Sequence, residues 1–193
     1  LPISAAVHDV ALAAEKSRVY PLSRAFTTSI QHAGQFTAAS GVLIYAGDLL
    51  ADLQGNAFTC EPTGNLVHRE VLAPSGPTFN SRPAREQVEF LASDDEWFRP
   101  VNLELGPDGA LFIVDMYRAV IEHPQFMPAE LKTRRDLRAG DSHGRIYRIV
   151  PETGAPLTAQ PGFQSRSVED WIRLLEHENA WWRRTAARCI YQR

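Results

Sequence analysis

At 193 residues, with 44% hydrophobic and 22% charged side chains, the chain has the composition of an ordinary globular protein, built as one domain or as a domain and part of another. A formal net charge of −3 gives no reason to expect nucleic acid or an acidic membrane surface as a partner. No stretch of about 18 apolar residues occurs, and neither C-x-x-C-H nor a paired C-x-x-C is present, so no helical membrane span, covalent haem or zinc pair is expected.

In chain order, residues 1–17 read as a lead-in with no strong signal. The chain opens on Leu1, and Leu1–Ala14, without a basic n-region, does not read as a signal peptide; the chain reads as an internal piece of a longer protein. Val19–Ser23 and Gly41–Tyr45 read as strands, the second buried, with a polar loop containing His32 between them. Asn56–Cys60 and Asn65–Leu72 form a strand pair across the turn residues Glu61-Pro62-Thr63-Gly64. On the second of these, Leu66, His68 and Glu70 fall on one face, and Val67, Arg69 and Val71 on the other. Residues 73–87, with Pro74, Gly76, Pro77 and Pro83, read as an exposed connection. Glu89–Leu91 reads as a short outer strand.

The stretch WFRPVNLELGPDGALFIV, Trp97 to Val114, organises the rest. Val101, Leu103 and Leu105 alternate with Asn102 and Glu104, the period of a half-buried strand. Gly106-Pro107-Asp108-Gly109 supplies the preset φ and the φ > 0 position of a tight turn. The return run Ala110–Val114 is apolar on both faces and is expected to be buried on both. Ala119–Ile121 reads as helix broken at His123-Pro124, Pro128–Leu137 as a short surface helix, and Gly144–Val150 as the last strand. Pro151–Gly162 is a linker. From Ser167 the period turns helical: a Ser167/Asp170 capping box, a stripe of Val168, Trp171, Ile172, Leu174 and Leu175, then a second helix from Asn179 with Ala180, Trp182, Ala186, Cys189 and Ile190 buried. Trp171 and Trp182 are expected inside and Trp181 outside. His177 is expected to cap the first helix. Cys60 and Cys189 fall in different segments, and two free thiols are the simpler expectation.

The run RPVNLELGPDGALFIVDMY (Arg99–Tyr117) resembles a blade hairpin of bacterial quinone-dependent sugar dehydrogenases, the glucose/sorbosone dehydrogenase-like β-propellers. GNAFTCEPTGNLVHREVL, EFLASDDEWFRPV, MYRAVIEHP and GRIYRIV extend the resemblance over roughly residues 18–193, most closely to the large membrane-bound dehydrogenase type in which HEAT-type helical repeats follow the propeller. The resemblance implies a mainly β fold: two to three blades of a six-bladed propeller over 18–150, a linker over 151–166, and a HEAT-like helical hairpin over 167–193. It implies pyrroloquinoline quinone and calcium as cofactors, a sugar or polysaccharide substrate, an electron acceptor such as a cytochrome c domain, and a periplasmic or cell-envelope location.

By position in that family's pattern, Arg99 and Arg69 would contact the quinone, His68 would take the substrate hydroxyl proton, and Asp48 and Asp115 would ligate calcium. Read from the residues alone, Arg99 also suits a salt bridge to Asp94 or Asp95, His68 a structural histidine, Asp48 and Asp115 turn caps, and Arg118 a structural role. A non-catalytic propeller-plus-helix module that binds carbohydrate or a partner protein is the alternative. A basic, calcium-lined channel would mark the enzyme, and an aromatic-lined surface the binder; Trp97, Phe98 and Tyr117 cluster near the hairpin. No G-x-S-x-G, G-x-x-x-x-G-K-[ST] or G-x-G-x-x-G occurs.

Overall fold

The structure is a computed structural model, and it describes residues 18–23, 34–122, 125, 127, 129–155 and 165–192. The readings made for 1–17, His32, His123-Pro124 and Pro128 lie outside these residues. The described chain is mainly β, with two antiparallel sheets that do not close into a barrel and three α-helices.

The hairpin expected at residues 97–114 is present. Strands β6 (Pro100–Leu105) and β7 (Leu111–Asp115) pair with Leu105 opposite Leu111 and Leu103 opposite Ile113. All four of these side chains are buried, which fixes the register because a one-residue slip would turn them to the other face. Between the strands the Gly106 amide donates to the Ala110 carbonyl at 2.9 Å, and Gly109 takes φ = +78°. Strand β8 (Arg145–Ile149) completes the order β6-β7-β8.

The other sheet is a four-stranded meander of β1 (Ser40–Ile44), β2 (Ala57–Glu61), β3 (Leu66–Ser75) and β4 (Thr78–Pro83). A two-residue strand, β5 (Leu91–Ala92), also pairs with β3. Strands β1 and β2 pack against β6. Between the sheets lies one core of Tyr45, Phe58, Cys60, Val67, Phe98, Leu103, Leu105, Leu111 and Ile113. Core-facing positions of β2 and β3 are therefore Phe58, Cys60 and Val67. The opposite face carries Glu61 and His68, buried polar groups that need partners of their own.

Several expectations are corrected. Strand β1 is an edge, with Val42 71% and Ile44 44% exposed, so its apolar run is not a buried one. Of the apolar residues of β7, Leu111 and Ile113 are sealed, and Phe112 and Val114 are half-buried. Val19–Ser23 is not a strand; an isolated bridge, Arg18 to Gln35, lies just before it. Residues 73–87 are not a bare connection: β3 continues to Ser75 and turns at Gly76 into β4. Pro83 is tolerated because β4 is an edge, and Pro74 because it lies on the part of β3 beyond its pairing with β2, positions with one unpaired side. Ala119–Ile121 is not helical. The Arg118 and Ala119 carbonyls accept from the Arg99 guanidinium and the Ala119 amide donates to Ala139, so these groups are spent on tertiary partners. Helix α1 is one turn, Ala129–Lys132.

Helices α2 (Val168–Leu174) and α3 (Ala180–Tyr191) form the helical pair. Ser167 and Asp170 make the reciprocal capping box, and Asn179 caps α3. Trp171 and Trp182 are buried and Trp181 is half-buried. The α2 stripe divides: Trp171 and Leu174 pack on α3, whereas Val168, Ile172 and Leu175 are exposed. The His177 amide donates to the Leu174 carbonyl at the end of α2 at 3.3 Å, as a cap would, but its side chain serves the next helix. Its Nδ1 accepts the Asn179 amide at 3.0 Å, ahead of α3. The pair is docked on the sheets through polar contacts: the Ala180 amide donates to the Ala46 carbonyl, Asn179 Nδ2 to Gly106 at 2.9 Å, and Trp182 Nε1 to Pro107 at 2.8 Å.

Candidate functional site

The residues singled out by resemblance are dispersed. His68 and Arg69 are neighbours in sequence but project from opposite faces of β3, so one site cannot use both. On one face the His68 imidazole is buried between two carboxylates. Nδ1 lies 2.7 Å from Glu89 Oε2, Nε2 lies 2.9 Å from Glu70 Oε1, and the Phe36 ring stands edge-on. Burial pulls the imidazole pKa down, but the bonds and charges of Glu70 and Glu89 outweigh it and raise it from 6.5 to about 9. At neutral pH His68 is thus an imidazolium with both N–H groups engaged, and it holds no lone pair for a substrate proton. Glu89 Oε1 in turn accepts the Tyr20 amide at 2.9 Å.

On the other face, Arg69 Nε donates to Asn56 Oδ1 and Nη2 to the Asp52 carbonyl. Arg99 is buried, and its three guanidinium nitrogens each donate to a backbone carbonyl: Nε to Arg118, Nη1 to Pro62 and Nη2 to Ala119. Neither Asp94 nor Asp95 is its partner. It is a strut joining the β2–β3 turn to the segment after β7. Arg118, read as structural, donates to the carbonyls of Met116, Tyr117, Asp141 and His143 and to Gly140.

Asp48 and Asp115 do not share a site. Asp48 is exposed and abuts Gly109 at the turn. Asp115 closes the far end of β7; at about 3.3 Å per residue, the four steps from Leu111 span roughly 13 Å. Its oxygens are already committed, Oδ1 to the amides of Arg99 (2.7 Å) and Tyr117 (2.8 Å) and Oδ2 to Arg145 Nε (2.9 Å). Calcium needs six to eight oxygens around one point. Among the described residues no three His, Cys, Asp or Glu side chains converge to hold a metal ion. Arg99, Arg69, His68, Asp48 and Asp115, as placed, do not fit a quinone and its calcium.

What does converge lies at the open end of the β6–β8 sheet, where β6 begins, β7 ends and β8 begins. Trp97 and Tyr117 stand with ring centroids 5.4 Å apart, both half-buried. The Arg145 guanidinium lies 3.6 Å over the Tyr117 ring and is held by Asp115 and, at 3.3 Å, by Asp95. The exposed His143 ring completes the rim, 6.3 Å from Tyr117. Tyr117 takes φ = +52°, a conformation rare for a bulky residue, and Gly140 (φ = +86°) packs directly on its carbonyl. Asp115 and Arg118 hold that backbone in place. The outcome is a preset shelf of two aromatic rings, a stacked cation and a carboxylate. The sequence pointed to Trp97 and Tyr117 by their aromatic character. Arg145 was hidden as one position of an alternating strand.

Two antiparallel sheets and a docked helical pair define a β-rich protein. The chain belongs to the family described as a domain of unknown function, DUF7133, whose profile matches residues 2–153. No curated protein and no solved structure matches the chain.

Proposed function

We propose that the chain is part of a β-propeller followed by a HEAT-type helical pair, and that it acts as a non-catalytic module binding carbohydrate through the Trp97–Tyr117–Arg145 shelf. The meander β1-β2-β3-β4 supports the blade reading, since a propeller blade is a four-stranded antiparallel sheet, and so does the packing of the second sheet against its first two strands. The observation that carries the binding reading is the shelf itself. The half-buried indole of Trp97, beside a phenol whose one face is covered by Arg145, suits the apolar face of a sugar ring, while Asp95 and Arg145 offer an acceptor and donors to hydroxyls. The test is calorimetric titration of the full chain with a panel of neutral oligosaccharides, alongside Trp97→Ala and Tyr117→Phe. Binding that Trp97→Ala abolishes and Tyr117→Phe largely keeps is expected. Binding indifferent to Trp97→Ala would overturn the assignment of the shelf.

The run RPVNLELGPDGALFIVDMY supports a second reading, a periplasmic or cell-envelope sugar dehydrogenase with a quinone pocket built from residues other than the five above. Calcium-dependent binding of pyrroloquinoline quinone, with dye-linked oxidation of aldoses, is its signature and would displace the first reading. No helix among the described residues is long and apolar enough to cross a membrane.

A further inference from the structure

A separate groove runs where α3 faces β6. Trp181, Arg184, Thr185 and Arg188 recur at the spacings that share one helix face, and Glu104 and Leu105 of β6 form the opposite wall around a cavity of about 260 Å³. Several of the described arginines are committed, Arg99 and Arg118 to carbonyls and Arg134, Arg145 and Arg148 to carboxylates. Arg184 and Arg188 are exposed and make no such bond among the described residues. Two guanidinium groups against the single carboxylate of Glu104 leave one net positive charge in the groove. Its aromatic wall is fixed, because the Trp181 ring stands edge-on to buried Trp182 at 4.8 Å between centroids. Thr185 is 5% exposed and lies between the two arginines in the helix.

We propose that this groove binds a sugar acid, a pyranose ring bearing one carboxylate. The planar forks of Arg184 and Arg188 match a carboxylate, which they take by charge-assisted hydrogen bonds. The part of the Trp181 indole that lines the groove offers apolar surface to the ring, and Glu104 accepts from ring hydroxyls. Glu104 also sets the selectivity: it repels a bare dianion such as sulfate, which has no hydroxyl to offer it, and rewards a hydroxylated monoanion. The site is independent of the shelf at the other end of the β6–β7 hairpin, and stands or falls separately.

The test is titration of the full chain with glucuronate, glucose and inorganic sulfate by ligand-observed NMR, with Arg184→Gln/Arg188→Gln, Glu104→Gln and, as control, Arg135→Gln. Glucuronate is expected to saturate the wild type, with glucose and sulfate each weaker. The double arginine variant should weaken glucuronate about tenfold or more, the loss expected for charge-assisted bonds to a carboxylate, with an unchanged melting temperature because both side chains are exposed. Glu104→Gln should weaken glucuronate and strengthen sulfate, and Arg135→Gln should change nothing. Glucose competing equally, sulfate binding as well as glucuronate, or a double variant that binds normally would each overturn the proposal. So would glucuronate binding that Trp97→Ala abolishes and the arginine pair does not.

Discussion

Asn179→Asp separates an ordinary helix cap from a docking joint. At most N-cap positions Asn and Asp are interchangeable, because only the side-chain oxygen is used. Asn179 is fully buried and uses both ends. Its Oδ1 accepts the Trp181 amide at 2.9 Å, and its Nδ2 donates to the Gly106 carbonyl at 2.9 Å and the Pro107 carbonyl at 3.3 Å. An aspartate would keep the cap but aim a carboxylate oxygen at two carbonyl oxygens away from water. The two lost hydrogen bonds, one of them long, cost about 1–2 kcal/mol, and a buried charge left facing acceptors adds roughly 1–3 kcal/mol. Favourable interaction with the helix dipole returns up to about 1 kcal/mol. The net expectation is a loss of about 2 kcal/mol for Asn179→Asp. The comparison is Ser167→Ala at the exposed α2 cap, expected to cost about 1 kcal/mol. Urea unfolding followed by tryptophan fluorescence measures both. A neutral Asn179→Asp would mean that the helical pair is not seated on the Gly106–Pro107 turn.

Two further outcomes follow from buried titratable groups. Because the His68 pKa is raised in the folded state, its ion pairs stabilise fully below 6.5, the unfolded value, and that contribution is lost as pH rises through about 9. The melting temperature should therefore fall across that window, by an amount on the order of 2 kcal/mol in stability, and His68→Gln should flatten the profile. Burial, with Glu61 adding to it, pushes the Cys60 thiol up to about 12, so a maleimide should label half-buried Cys189 first and Cys60 only on unfolding; equal labelling rates would refute this placement.

The parts of the fold set by local spacing were legible in the sequence. The Gly106–Gly109 turn, the alternation of Leu103 and Leu105, the Ser167/Asp170 box and the Asn179 cap depend on residues a few positions apart. What pairs across long separations was not legible. Glu61 reads as a turn residue, yet its buried carboxylate accepts amides from Thr37, Ala38 and Thr63, which ties a distant loop to the β2–β3 turn. Arg99 stands where a ligand-facing cation was expected, and its partners were backbone carbonyls, which have no side-chain identity for a pattern to register. For His68 the family resemblance implied a base and the residues alone a structural histidine; its clamp could not be read because Glu89 arrives from another segment. The apolar run of β1 misled for the opposite reason, because composition cannot tell a central strand from an edge.

The β6–β7 and β3–β4 hairpin turns have opposite tolerance for added length. At Gly109, room for even one Cβ is taken by Asp48 and Leu49, the carbonyl accepts the Tyr45 hydroxyl, and Arg148 grips neighbouring Asp108 at 2.7 Å. An inserted residue there would detach strand, loop and helix partners at once. At Gly76, the tip of the β3–β4 hairpin, a Cβ would meet nothing within 4 Å and the flanking β4 is exposed throughout. Natural length variation, proteolytic nicks and grafted epitopes belong at residues 75–78, and the Pro107 turn should keep its length wherever this helical pair is retained.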